Sequence, residues 1–193
     1  MKNTLIFLGL AGLAGLLAAG CAAVRAGYQS APYRVTRSDG KFQLRDYPGL
    51  TVVETAAPGP DNSFMRLFHY IGGQNSAQQK IPMTTPVFMA GSQTNTSMAF
   101  VLPANLPLER APQPADPALR LRQIPAGSFA VLRFSGGRSD RHAAEALTRL
   151  QAWLTAQSLT PAGEPPVYAY FDPPWTPSFL RRNEVMLRLA PTK

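Results

Sequence analysis

The sequence predicts an α+β fold made of two like units, each running strand–strand–helix–strand–strand. Three observations carry this. Apolar side chains recur at period two along most of the chain from residue 33 onward, the spacing of half-buried strands. One stripe at helical spacing interrupts each half. A short echo links the halves, Leu-Arg-Asp-Tyr-Pro-Gly-Leu-Thr-Val-Val at 44–53 against Leu-Arg-Gln-Ile-Pro-Ala-Gly-Ser-Phe-Ala at 121–130.

In the first half the alternation predicts strands at 33–37, 42–47, 50–55, 87–90 and 97–102, and in the second at 119–124, 129–134, 167–171 and 185–189. Phe64, Leu67, Phe68 and Ile71 form the first helical stripe; Asp61 or Asn62 can cap its start, and Gly72-Gly73 ends it. Ala143, Leu147, Leu150 and Leu154 form the second, opened by Ser139, with Glu145 and Arg149 spaced as a favourable i,i+4 pair on the wet side. The Pro-rich stretch 103–117 reads as an exposed linker. The organisation expected is one domain over 33–190, with repeat one at 33–102, a linker at 103–118 and repeat two at 119–190. Each unit can lay its helix on one face of a sheet, and the crevice between like halves is a common place for a ligand.

Composition narrows the function. Hydrophobic residues at 45% and charged residues at 16% suit a globular core. The net charge of +8 is spread along the chain with no run longer than Arg181-Arg182, which argues against a nucleic-acid partner and for a general affinity for anionic groups. At the N-terminus Lys2 precedes an uncharged run from Thr4 to Gly20, the layout of an export signal over residues 1–20. The run ends Ala18-Ala19-Gly20-Cys21, which resembles a bacterial lipobox, although Ala18 stands where that pattern prefers Leu. On this reading Cys21 is acylated, residues 21–32 form the lipidated tether, and the domain hangs on the periplasmic side of the outer membrane. Ala22 in place of Asp after the cysteine argues weakly against inner-membrane retention. An ordinary cleaved signal and an uncleaved anchor are the alternatives. Cys21 is the only cysteine, so its acylation would leave no disulfide and no thiolate ligand.

Familiar catalytic signatures are missing. Two histidines, His69 and His142, cannot build a His-rich zinc site. There is no Cys-x-x-Cys-His, no Gly-x-Ser-x-Gly elbow, and no Walker or dinucleotide fingerprint. A non-catalytic binding protein is therefore expected. The first helix is more telling: Met65 and His69 lie one turn apart on the flank beside Phe68, and Arg66 and Tyr70 lie one turn apart on the opposite flank. A thioether, an imidazole and a guanidinium thus share one short helix.

Three segments, in order, resemble the SOUL haem-binding protein family. They are Phe64-x-x-Leu67-x-x-Tyr70-Ile71-Gly72-Gly73-x-Asn75, then Lys80-Ile81-Pro82-Met83-Thr84-Thr85-Pro86-Val87, then Tyr170-Phe171-Asp172-Pro173-Pro174-x-x-Pro177-x-x-x-Arg181-Arg182-Asn183-Glu184-Val185. The resemblance implies two repeated units closing into a distorted antiparallel β-barrel with two helices. It also implies non-covalent binding of haem, a related tetrapyrrole or another apolar anionic molecule in a groove near the first helix, with His69 and Tyr70 on that helix, Lys80 and Met83 on the segment after it, and Arg181 and Arg182 in the family's Arg-Arg-Asn-Glu signature. With Met65 and Arg66 from the helix flanks these are the expected binding residues of a monomer; His69 is expected as the iron ligand and Lys80 or Arg182 on a propionate, although family members share no one axial ligand. The same residues have structural alternatives: Arg181–Glu184 as a salt-bridged turn and Asp172-Pro173-Pro174 as a rigid corner. Two rival functions remain open. One is a hydrolase, isomerase or effector-binding module on the related fold, using a buried carboxylate or tyrosine such as Glu54, Tyr168 or Tyr170. The other is an interaction module whose groove takes a lipid or peptide.

The lipobox reading is checked by radiolabelled acyl incorporation. Cys21→Ser is expected to abolish labelling and leave an unprocessed precursor; unchanged labelling and membrane fractionation would end it.

Overall fold

Strand alternation places all nine expected strands in one antiparallel sheet. The structure, a computed structural model, describes residues 27–55, 62–92, 95–137 and 140–191. The expected export signal, Cys21, Asp61 and Ser139 lie outside these. In chain order the elements are β1 (Gln29–Ser30), β2 (Arg34–Asp39), β3 (Phe42–Tyr47), β4 (Leu50–Thr55), α1 (Ser63–Ile71), β5 (Thr84–Thr85), β6 (Val87–Ser92) and β7 (Asn95–Val101). They continue with β8 (Leu119–Ile124), β9 (Gly127–Phe134), α2 (Asp140–Ala156), β10 (Val167–Tyr170) and β11 (Asn183–Arg188).

The nine-stranded sheet has the order β2-β3-β9-β11-β10-β6-β7-β4-β8. Two corrections to the sequence reading follow. First, the sheet is open rather than closed into a barrel. Its edges are β2, exposed along its whole length, and β8, whose Arg120, Arg122 and Gln123 are exposed. Charged, solvated strands end a sheet instead of pairing onward. Second, the halves are interleaved rather than adjacent. β3 leaves its own repeat to pair with β9, and β8 leaves its own to pair with β4. The turns Pro48-Gly49 and Pro125-Ala126 mark the two crossings, which is what the sequence echo records. Central β6 and β10 meet at the pseudo-symmetric join.

Alternation along the strands divides the core in three. One face of the sheet gathers Tyr47, Leu50, Val52, Phe88, Phe129, Val131 and Met186 from both halves into a shared core. On the other face α1 packs Leu67, Tyr70 and Ile71 on Val53, Val87, Met98 and Phe100, and α2 packs Ala146, Leu150, Trp153 and Leu154 on Ala130, Leu132, Val185 and Leu187. The helix α1 departs from its expected stripe: Leu67 and Ile71 are buried, but Phe64 and Phe68 are exposed and Tyr70 takes the buried place. On α2, Glu145 pairs with Arg141 at 2.9 Å, not with Arg149.

Two buried carboxylates fasten the exchanged strands. Arg45 on β3, fully buried, donates to both oxygens of Glu184 on β11 at 2.7 and 3.0 Å, and Arg182 adds a bond at 2.7 Å. Reciprocally, Arg120 and Arg122 on β8 donate to Glu54 on β4 at 2.6 and 2.8 Å. Arg45 comes from the other repeat than Glu184, and Arg120 and Arg122 from the other repeat than Glu54; Arg182 shares the repeat of Glu184. Burial alone would raise the pKa of Glu184, but the bonds and charges of Arg45 and Arg182 outweigh it and hold the carboxyl below its ordinary value. The same contest, with Arg122 and Arg120, keeps Glu54 low.

The Pro-rich connection and the described part of the expected tether, residues 27–32, are both more engaged than the sequence suggests. Ala111 and Pro112 are buried, Tyr70 donates its hydroxyl to the Pro112 carbonyl at 2.9 Å, and Asn75 bridges to Pro114. β1 pairs in parallel with β5, and Ala31 joins the shared core, so packing begins before residue 33.

Interleaving predicts that residues 33–103 expressed alone give an unfolded or aggregated product, because β3 loses β9 and β4 loses β8; a cooperative thermal transition from that fragment would show independent units. Glu184→Gln is expected to cost about 3–5 kcal/mol in urea denaturation, the usual loss when one partner of a buried ion pair is removed. Since Glu184 and Glu54 have depressed folded pKa values, their contribution is full above the unfolded carboxylate value of about 4.3 and is lost as pH falls through the lower folded values. Stability measured from pH 7 downward should fall below about pH 4.3, and less steeply in Glu184→Gln.

Candidate functional site

The exposed phenylalanines of α1 open onto the site. Phe64 and Phe68 stack with centroids 6.1 Å apart, and Phe64 meets Phe100 edge-on at 5.3 Å, which fixes the pair against the sheet. With Met65 they form one wall of a groove of about 580 Å³. Met83, Thr85 and Val87 form the floor, Tyr28 closes one end, and the segment 170–175 forms the far wall. Val87 and Tyr170 are cross-strand partners in the β6–β10 pair, so the groove lies where the two halves join.

The large exposed apolar side chains among the described residues are Tyr28, Val35, Phe64, Met65, Phe68, Trp175 and Phe179, and all but Val35 and Phe179 line this groove. Phe68 is 47% exposed and Trp175 80%. Such concentration marks a surface built to be covered.

The far wall is rigid. Asp172 accepts the Arg182 backbone N–H at 2.6 Å, the Thr176 N–H donates to the Pro173 carbonyl at 3.0 Å, and Arg181 donates to the Thr176 carbonyl at 2.7 Å and also to that of Pro174. The Asp-Pro-Pro corner is therefore both a turn and a wall.

The structure gathers only some of the proposed residues. Met65 and Met83 bring two thioethers to the groove. His69 lies one turn beyond Met65 on the same exposed flank, beside Phe68, outside the lining. Lys80 is exposed, three residues before Met83. Arg66 points to Asp116 at 3.3 Å. Tyr70 is turned inward, its phenol pushed up to about 12 by burial. Arg182 stacks on Phe171 at 4.0 Å and is bonded to Glu184, so its charge serves the buried carboxylate. Arg181 braces the 174–176 corner. Sequence reading missed Tyr28, Phe171 and Trp175 as lining residues. A usable signal was the width of the apolar arc on α1, where Phe64, Met65 and Phe68 exceed what one buried face needs.

The other cavity between the halves is small, about 50 Å³, and Glu54 and Arg122 line it beside Tyr47, Phe88 and Phe129. Among the described residues no cluster of three or more metal-ligating side chains occurs, and no helix is long and apolar enough to cross a membrane.

The open antiparallel sheet with two helices on one face defines an α+β fold. A hydrolase from Listeria innocua superposes with a TM-score of 0.61 at 8% identity, over 80% of this chain and 94% of that one. The C-terminal domain of EcmrR superposes at 0.55 with 15% identity, over 83% and 99%, and EcmrR in its DNA complex at 0.54 with 14%, over 99% and 70%. At such identities the likeness is one of fold. No curated protein is a significant match to the sequence. The chain belongs to the SOUL haem-binding protein family, whose model matches residues 28–188.

A prediction concerns the far wall. Arg181→Ala removes both braces of the corner and should loosen 173–176, read as faster backbone amide exchange there; a structurally inert arginine would leave exchange unchanged.

Proposed function

We propose that the groove binds haem or a related flat tetrapyrrole without a covalent bond, in an exported domain tethered to the bacterial outer membrane through acylated Cys21. The observation that carries this reading is the apolar groove of about 580 Å³ walled by stacked phenylalanines. Sites for small apolar ligands are typically about 300–1,000 Å³ with few polar groups, and family membership points the same way. The residues present fit the group: Phe64, Phe68, Tyr170 and Trp175 offer flat surfaces, and Met65 and Met83 offer soft donors. Haem would bring an iron open to an axial donor and a visible chromophore. His69, one turn from Met65, would offer its imidazole to the iron, and Lys80, exposed three residues before Met83, would hold a propionate. Arg182, committed to Glu184, holds β11 in place instead.

The rival hydrolase or effector reading needs a buried carboxylate or tyrosine facing the groove. Glu54 does not supply it, since it stands in the small inter-half cavity and is held low by its arginines; Tyr170 lines the groove and is the group that reading would use.

Absorbance titration of the purified chain tests this. Phe68→Ser and Trp175→Ser are each expected to weaken haem binding about tenfold, the equivalent of ~1.4 kcal/mol of lost apolar contact, with the fold intact by circular dichroism. His69→Ala should shift the Soret band, whereas His142→Ala, on α2 and packed over Gly136, should not. If haem gives no more signal with this chain than with an unrelated basic protein, the reading is wrong.

A further inference from the structure

A third cavity, of about 260 Å³, opens between the β2–β3 turn, the end of β9 and residues 180–182. Lys41, Arg133, Arg181 and Arg182 all line it, with Ser135. None of them lines the apolar groove.

Charge around this cleft does not balance. The carboxylate that serves it is Glu184, and that group is already shared: Arg45 holds both its oxygens, Arg182 holds one, and Arg133 reaches it only at 3.8 Å. One negative charge thus faces three guanidiniums before Lys41 and Arg181 are counted. Arg181 is bonded to carbonyl oxygens, which carry no formal charge. Of the neighbouring carboxylates, Asp39 accepts the Trp153 indole N–H at 2.9 Å, and Asp172 accepts the backbone N–H of Arg182, so with both counted the cations still outnumber the carboxylates. Arg133 feels the surplus. Loss of solvent and the charges of Arg182 and Arg45 lower its pKa against the pull of Glu184. Converged cations that share one carboxylate give the cleft a positive potential, which attracts an anion.

The kind of anion follows from the donors. Guanidiniums present paired N–H groups in a fixed fork, an ammonium and a hydroxyl add donors from other sides, and the surplus exceeds one charge. A carboxylate would offer two oxygens in one plane; a phosphoryl group offers three terminal oxygens and up to two charges. We propose that the cleft lined by Lys41, Arg133, Arg181 and Arg182 binds a phosphate group, as inorganic phosphate, a small phosphomonoester or a phosphomonoester lipid headgroup.

Calorimetric titration of the full chain in nonionic detergent tests this with inorganic phosphate, glycerol phosphate and short-chain phosphatidate, against chloride at matched ionic strength. Phosphate or phosphatidate should bind and raise the melting temperature where chloride does not. Lys41→Gln combined with Arg133→Gln should weaken that binding at least tenfold and abolish the rise. Both side chains are accessible, Arg133 being 47% exposed, and circular dichroism with no ligand should match the parent. Arg133→Lys, which keeps a charge, should recover part of the affinity. Variant-sensitive binding of all three ligands identifies a free phosphate site; variant-sensitive binding of phosphatidate alone identifies a lipid headgroup. No ligand binding beyond chloride overturns the proposal, as does equal binding by the parent and the Gln double variant. If the double variant loses the parent spectrum, Lys41→Gln alone is read in its place by the same criteria.

Discussion

The structure depends on a strand exchange clasped by two crossed ion pairs. β3 and β8 each leave the repeat that supplies them and join the sheet of the other. Arg45 then grips Glu184, and Arg120 and Arg122 grip Glu54. Buried ion pairs are poor sources of net stability, because the desolvation of both partners offsets their attraction. What they supply here is register. A slip of one residue would carry Arg45 to the opposite face of the sheet, leaving Glu184 buried among apolar neighbours with its main partner gone. The pairs therefore penalise wrong alignments more than they reward the right one.

Everything that forms the groove hangs from this arrangement. The exchange brings β6 and β10 side by side at the centre of the sheet. The end of that pair supplies Val87 and Tyr170, and the segments next to it supply Met83, Thr85 and the 171–175 corner. Helix α1 can then leave Phe64 and Phe68 uncovered, because Leu67, Tyr70 and Ile71 already anchor it to the sheet. The last strand does double duty: β11 carries Glu184, and the Arg181-Arg182 approach to it braces the wall. The Arg-Arg-Asn-Glu run is thus a joint between the core and the groove, and Asn183 adds a bond to the Gly136 carbonyl at 3.0 Å.

Much of the fold was legible in the sequence because alternation and helical spacing are local. The runs at 42–47, 50–55 and 119–124 needed no tertiary knowledge, and the echo at 44–53 and 121–130 located both crossings. That the echo meant exchange rather than stacking was not legible: the ion pairs that join the exchanged strands link residues 139 and 66 apart in sequence. Closure was misread for a related reason. Whether β2 meets β8 depends on the polarity of both edges together, and β2 alternates too weakly to announce a solvated edge. At the site, Met65 and Met83 were legible because they lie on or near α1. Tyr28 was not, since it looked like part of a tether, and Arg182 read as a free rim cation because its carboxylate, Glu184, was taken for part of a turn motif.

The chain has two tryptophans, and they occupy opposite environments. Trp153 is nearly enclosed, stacked on Phe42 at 5.1 Å with its indole N–H on Asp39. Trp175 stands on the groove wall, largely in water. Their emission is accordingly separable by colour and by access to a collisional quencher. The molecule carries an internal optical standard beneath α2 and an optical sensor at the mouth of its groove, so occupancy can be followed without attaching a label.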